Sequence, residues 1–166
     1  MVKINWKVTD NIYNITKEEF DVELNDLYGY FEIQINGKDI GFCPQRELFE
    51  DEEGVEAIVY WISHLLESII ELKEKKKYEF ALLSMNLRRL VFELKEGNCI
   101  EVCFFDIEQE RNEWKETIIF NEYKVKILES AYKFLAFIKE NNKELLSTNM
   151  IRKVEYLYFR CNMGKD

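Results

Sequence analysis

Tyr30-Phe31-Glu32-Ile33-Gln34-Ile35-Asn36-Gly37-Lys38-Asp39-Ile40-Gly41-Phe42 is the stretch on which the fold turns. Apolar and polar residues alternate on both sides of Asn36-Gly37, the period of a strand with one buried face. Asn-Gly takes the positive φ angles of a two-residue hairpin turn whose twist matches its strands. Phe31, Ile33 and Ile35 then share a face. Pro44, with no N–H to give to a ladder, ends the second strand.

Toward the N-terminus, residues 2–8 (VKINWKV) alternate as a strand, and 11–15 suggest a second, shorter one. In the acidic connector from Lys17 to Asp26, Phe20, Val22 and Leu24 have the spacing of a half-buried strand. After Val55 the period changes. Ile58, Trp61, Ile62, Leu65, Ile69 and Leu72 fall on one face of a helix running to about Lys75, with Glu56, Glu67 and Glu71 opposite. Glu52, Glu53 and Glu56 crowd its start, where the helix dipole favours negative charge.

Residues 78–84, 88–95 and 99–106 read as a meander of three antiparallel strands, turning at Met85-Asn86 and Glu96-Gly97-Asn98. The stretch 108–115 is expected to be polar loop, with a short strand at 117–120. Residues 123–140 are helical by period, and Thr148 to Cys161 fits a helix or a strand. The order of elements predicts an α+β fold. Its mainly antiparallel sheet is the N-terminal hairpin plus the meander, with one inserted helix and two C-terminal helices, in a single domain over 1–166.

The 166 residues carry 32 Asp+Glu against 23 Lys+Arg, a formal charge of −9. Nucleic acid repels such a surface unless a basic patch is segregated from the rest, and the one dense basic run, Lys73 with Lys75 to Lys77, complements a helix C-terminus. No nucleic-acid partner is therefore expected. The start lacks the pattern of a secretion signal, and no segment has the apolar length of a membrane span. With four cysteines outside any CxxC pair, a cytoplasmic protein with reduced thiols is expected.

Reaction chemistry has little to stand on in this chain. His64 is the only histidine, and helical geometry sets it on the polar side of its helix beside Tyr60, Glu67 and Glu71, with no nucleophile in view. Cys99 and Cys103, four residues apart on one strand, lie about 13 Å apart, too far to chelate one ion. Glu93-Leu94-Lys95 has the form of half a metal-dependent nuclease core, but no carboxylate lies between Phe80 and Phe92 to complete it. Alternating charge on a solvated strand explains it equally well. No catalytic residue, metal or cofactor is expected.

The acidic clusters remain. Glu47, Phe49, Glu50, Asp51, Glu52 and Glu53 combine carboxylates with an apolar anchor, the composition of a docking surface for a basic protein partner. Glu18, Glu19, Asp21, Glu23 and Asp26 make a second cluster. Phe137 and Tyr60 fall on otherwise polar helix faces. The bland alternative for both clusters is a solvated surface whose acids cap a helix.

The Phe31-to-Phe42 hairpin, the Tyr60-Trp61-Ile62-Ser63-His64-Leu65-Leu66-Glu67 helix and the Phe80-to-Leu94 strands resemble small acidic immunity proteins of bacterial polymorphic toxin systems and related uncharacterised bacterial single-domain families. The resemblance is one of size, acidity and missing reaction centre. It implies a non-catalytic inhibitor that docks a basic toxin domain, and it transfers no binding residue. A homodimer pairing exposed strand edges such as the hairpin's, and a carboxylate-dependent enzyme built on His64 or Glu93 and Lys95, are the competing expectations.

Overall fold

The computed structural model describes residues 1–49, 52, 54–85 and 87–163. Its elements run β1 (Val2–Val8), α1 (Lys17–Glu19), β2 (Tyr28–Ile35), β3 (Lys38–Phe42), β4 (Glu56–Ala57), α2 (Ile58–Lys75), β5 (Lys77–Ala81), β6 (Arg88–Lys95), β7 (Cys99–Asp106), β8 (Arg111–Ile119), α3 (Phe120–Asn141) and α4 (Asn149–Met163). The fold is α+β, and all its strand pairs are antiparallel. The strands divide into two sheets. One has the order β1-β2-β3 with β4 paired to the start of β2, and the other runs β5-β6-β7-β8.

The hairpin forms as its sequence requires. Asn36 and Gly37 have φ of 50° and 85°, and Ile33 pairs with Ile40 across the turn. Asn36 also ties the sheets together: its side-chain amide donates to the Thr117 carbonyl of β8 at 3.1 Å. At Gly41 φ is +76°, and Phe42 leaves the buried row to lie edge-on to Tyr30, centroids 6.1 Å apart.

Between the sheets α2 lays down a column of rings. Phe31 of β2 stacks on Trp61 at 4.7 Å, and Trp61 meets Phe80 of β5 edge-on at 5.6 Å. Phe80 is followed by Phe92 at 6.3 Å and Tyr123 of α3 at 5.5 Å. Buried side chains from both sheets and from α2, α3 and α4 form one hydrophobic cluster. Burial on this scale, about 1.5–3 kcal/mol per large apolar side chain, is what holds the layers together.

Four local expectations are corrected. Residues 12–14 form a 3-10 turn instead of a strand. The 17–26 connector is helical: α1 runs on as a π-type turn over Phe20–Leu24. Thr16 starts it, accepting from the Glu19 N–H while the Glu19 carboxylate accepts from the Thr16 N–H, a capping box whose local bonds outweigh the two-residue spacing of Phe20, Val22 and Leu24. Residues 111–119 form one nine-residue edge strand, where loop was expected through 115 and a short strand only from 117. Glu56 belongs to β4, buried, not to the polar face of α2. The last segment is a helix.

Candidate functional site

Of the docking segment, the structure describes Glu47, Phe49 and Glu52; Glu50, Asp51 and Glu53 lie outside the described residues. Glu52 does not cap α2. Its carboxylate takes a bidentate pair from Arg46, at 2.6 and 2.5 Å, and accepts the Phe49 N–H at 2.9 Å. These bonds, the Arg46 pair first, hold the Glu52 carboxyl down at about 2. The Arg46 guanidinium in turn lies 5.2 Å from the centre of the Phe49 ring, which is 70% exposed. Glu47, Leu48, Phe49 and Glu52 face Lys7, Val8 and Thr9 across an open depression of about 420 Å³. Arg46 thus holds the Phe49 ring and the Glu52 carboxylate together and neutralises that carboxylate.

Helix α2 takes its cap from a residue 33 positions upstream of the capped amide. The Asp26 carboxylate accepts the N–H groups of Leu27 (2.8 Å), Val59 (2.7 Å) and Tyr60 (2.9 Å). Burial pushes its carboxyl up to about 6 against the pull of these three donors, with the Asp10 charge adding to the rise. Asp21 serves α4 likewise, accepting the Asn149 N–H at 2.9 Å. With Glu19 in the capping box, three acids of the N-terminal cluster act as helix caps, favoured there by unsatisfied amides and the helix dipole.

His64 is half-buried, not on open helix surface. Its ring stacks on Phe80 at 4.9 Å and meets Tyr60 edge-on at 4.2 Å. Nδ1 lies 2.5 Å from the Tyr78 hydroxyl, which donates to Glu67 at 2.6 Å, and the other oxygen of Glu67 pairs with Lys153 of α4 at 2.7 Å. Tyr78 gives its one proton to Glu67, so its oxygen accepts from His64 Nδ1, which also lies 3.2 Å from the same Glu67 oxygen. The His64 bond first, then Lys153 and Tyr78, hold the Glu67 carboxyl at about 2 against its partial burial. Burial and the Glu67 charge push the Tyr78 phenol well above its ordinary range.

The remaining candidates are structural. Glu93 pairs with Lys95 at 2.6 Å, Glu79 with Arg89 at 3.1 Å and Glu101 with Lys115 at 3.1 Å, an ion ladder along the outer face of the second sheet. Cys43, Cys103 and Cys161 are buried, Cys99 is half-buried, and all four are free thiols. Among the described residues no group of three or more His, Cys, Asp or Glu side chains is placed to hold a metal ion. Phe137 is half-buried, its ring 5.7 Å from Trp6. The Tyr60 hydroxyl donates to the Ala81 carbonyl at 2.8 Å. Among the described residues no helix is long and apolar enough to cross a membrane.

The roles of Asp26 and Tyr78 do not show in the sequence. Both act through partners distant along the chain, and by composition Asp26 is only one acid of a surface cluster. No known protein family, curated protein or solved structure matches this chain.

Proposed function

We propose that this α+β domain is a non-catalytic protein-binding module that docks a basic protein partner in the manner of an immunity or antitoxin inhibitor. The observation that carries the reading is the Phe49 ring, held out by the Arg46–Glu52 clamp beside an open depression. An anchor fixed before encounter loses little conformational freedom on binding, which is how few contacts yield affinity. The charge supports a basic partner: residues 1–119 hold 26 acidic against 14 basic side chains, net −12. Such a field speeds encounter with a cation and repels nucleic acid. Four free thiols fit a reducing cytoplasm.

The test is capture by immobilised wild-type chain and by its Phe49→Ala and Glu47→Lys variants, at low and high salt. The expected result is one stoichiometric basic protein, released by salt and lost by both variants. Undiminished capture by the variants refutes the reading.

A second reading, an enzyme using His64 as general base, rests on the Glu67–Tyr78–His64 chain, which orients the ring. It lacks a partner nucleophile among the hydrogen bonds of this network, and it ranks below docking.

A further inference from the structure

We infer that Phe42 is a second anchor of the docking surface, turned out of the core at Gly41 to meet the same basic protein as Phe49. The inference rests on the docking reading and extends it across the outer face of the sheet of β1, β2 and β3.

Strand pairing places Phe42 opposite Phe31, and Ile40 opposite Ile33. Side chains opposite one another on an antiparallel pair share a face. Phe31, Ile33 and Ile40 accordingly lie buried in one row, and by period Phe42 belongs with them. It is 62% exposed instead, its ring edge-on to Tyr30 at 6.1 Å. Tyr30 precedes Phe31 on its strand and so points to the opposite face of the sheet. The residue that permits this is Gly41, in the left-handed region at φ +76°, where a Cβ would meet the Phe31 carbonyl oxygen at 2.1 Å. The ring gives up the burial that its strand offers, and it does so on an edge strand, where an exposed apolar side chain is a liability. Backbone irregularities that re-aim one side chain in this way gather at functional sites.

The segment that follows runs along the same outer face. Cys43, Pro44 and Gln45 line an open depression of about 430 Å³ with Asn5 and Lys7, and Lys7 also borders the depression beside Phe49. Arg46 connects the two rings. Its guanidinium lies 5.2 Å from the centre of the Phe49 ring, and after Glu52 the Tyr30 phenol is among the groups that act on its charge. Phe42, Tyr30, Arg46 and Phe49 thus follow one another over the sheet, two exposed rings with a half-buried ring and a cation between them.

Charge selects the occupant. Residues 43–55 hold five acidic side chains against one basic, Arg46. Arg46 is closed by Glu52, and Lys7 lies within electrostatic reach of the same carboxylate. A cationic protein meets the surplus acids while Phe42 and Phe49 enter apolar pockets on it, charge speeding the encounter and the rings carrying affinity. A second copy of this chain, itself at −9, is repelled from the same surface.

The test selects a phage-displayed random peptide library on the immobilised full chain and titrates the selected peptide, made synthetically, by fluorescence anisotropy. Expected are peptides of net positive charge with aromatic or aliphatic residues among the cations. Phe42→Ala should weaken the peptide at least tenfold, and Phe42→Tyr should restore most of that loss, while far-UV circular dichroism and Tm stay at wild-type values. Tyr156→Ala, at an exposed ring of α4, should leave binding unchanged. Binding that Phe49→Ala abolishes and Phe42→Ala leaves intact overturns the inference while the docking reading stands. The converse supports Phe42 and refutes Phe49 as the anchor. Peptides without net positive charge, or no peptide at all, overturn both. A dimer in sedimentation equilibrium that Phe42→Ala dissociates makes a second copy the occupant and also overturns the inference.

Discussion

Asp26→Asn should change how the stability of this fold responds to pH, because Asp26 is the buried carboxylate on which the start of α2 rests. Its folded value is raised from 3.8 to about 6, chiefly by burial. Between those values the folded state holds the proton more tightly than the unfolded chain. The stability the group contributes is therefore fully present below about pH 3.8 and is lost as pH rises through 6. A shift of about two units corresponds to about 3 kcal/mol. The variant does not titrate. Its amide oxygen can accept from Leu27 and Val59 as Oδ1 does, but its NH2 replaces the oxygen that accepts from Tyr60. One buried amide left without an acceptor costs about 1–3 kcal/mol at every pH.

The expected outcome is a loss of about 1–3 kcal/mol at pH 4 and anything from equality to a gain of about 2 kcal/mol at pH 7.5, so that the variant-minus-wild-type difference changes by about 3 kcal/mol across that range. Urea titration read by tryptophan fluorescence measures it, since Trp61 is stacked on Phe31 in the core and donates to Glu56 at 2.8 Å. Parallel pH profiles, constant to within about 0.5 kcal/mol, refute the reasoning. A variant that loses more at pH 7.5 than at pH 4 also refutes it, because the helix dipole and amide donors would then outweigh burial.

Glu67 has the opposite sign: its folded value lies near 2, below 4.5, so its contribution is present above pH 4.5 and lost as pH falls toward 2. Acid titration of Glu67→Gln should lack about 3 kcal/mol of the wild-type loss over that interval, and an unchanged acid limb contradicts the network. Gly41→Ala should lower Tm by at least about 4 °C, because the new Cβ would meet the Phe31 carbonyl oxygen at 2.1 Å with φ at +76°. Gly37→Ala, where nothing lies within 4 Å, incurs only the backbone cost of about 1 kcal/mol, so calorimetry should rank the two variants in that order. Phe49→Ala should leave Tm within about 1–2 °C of wild type, since the ring is exposed; a larger drop would make it a structural residue rather than a docking anchor.

Elements with strong local periodicity are legible in the amino-acid sequence. The Asn36-Gly37 hairpin, the apolar face of α2, the meander of β5 to β7 and the core of α3 follow from spacing that a helix or strand reproduces without distant help. Strand β8 is legible only at its end, from Thr117. Only Trp114 and Ile118 of its inward row are apolar, and Glu116 between them turns to the Asn36 amide. The helical turn at 17–24 is not legible: the Thr16–Glu19 box is the signal and the spacing of Phe20, Val22 and Leu24 competes with it.

The sequence by itself determined the α+β class, the apolar faces that must be covered and the net acidity, because these depend on residue type and local period. Tertiary structure alone decided which acids are surface charge and which are internal parts. Asp21 and Asp26 cap helices far along the chain, Glu52 is closed by Arg46, and Glu56 is buried against Trp61 and Ser84. It also decided that the strands form two sheets joined by the Trp61 column. A carboxylate's role is set by the donors that folding brings within about 3 Å, and those donors come from segments whose separation along the chain carries no local signal.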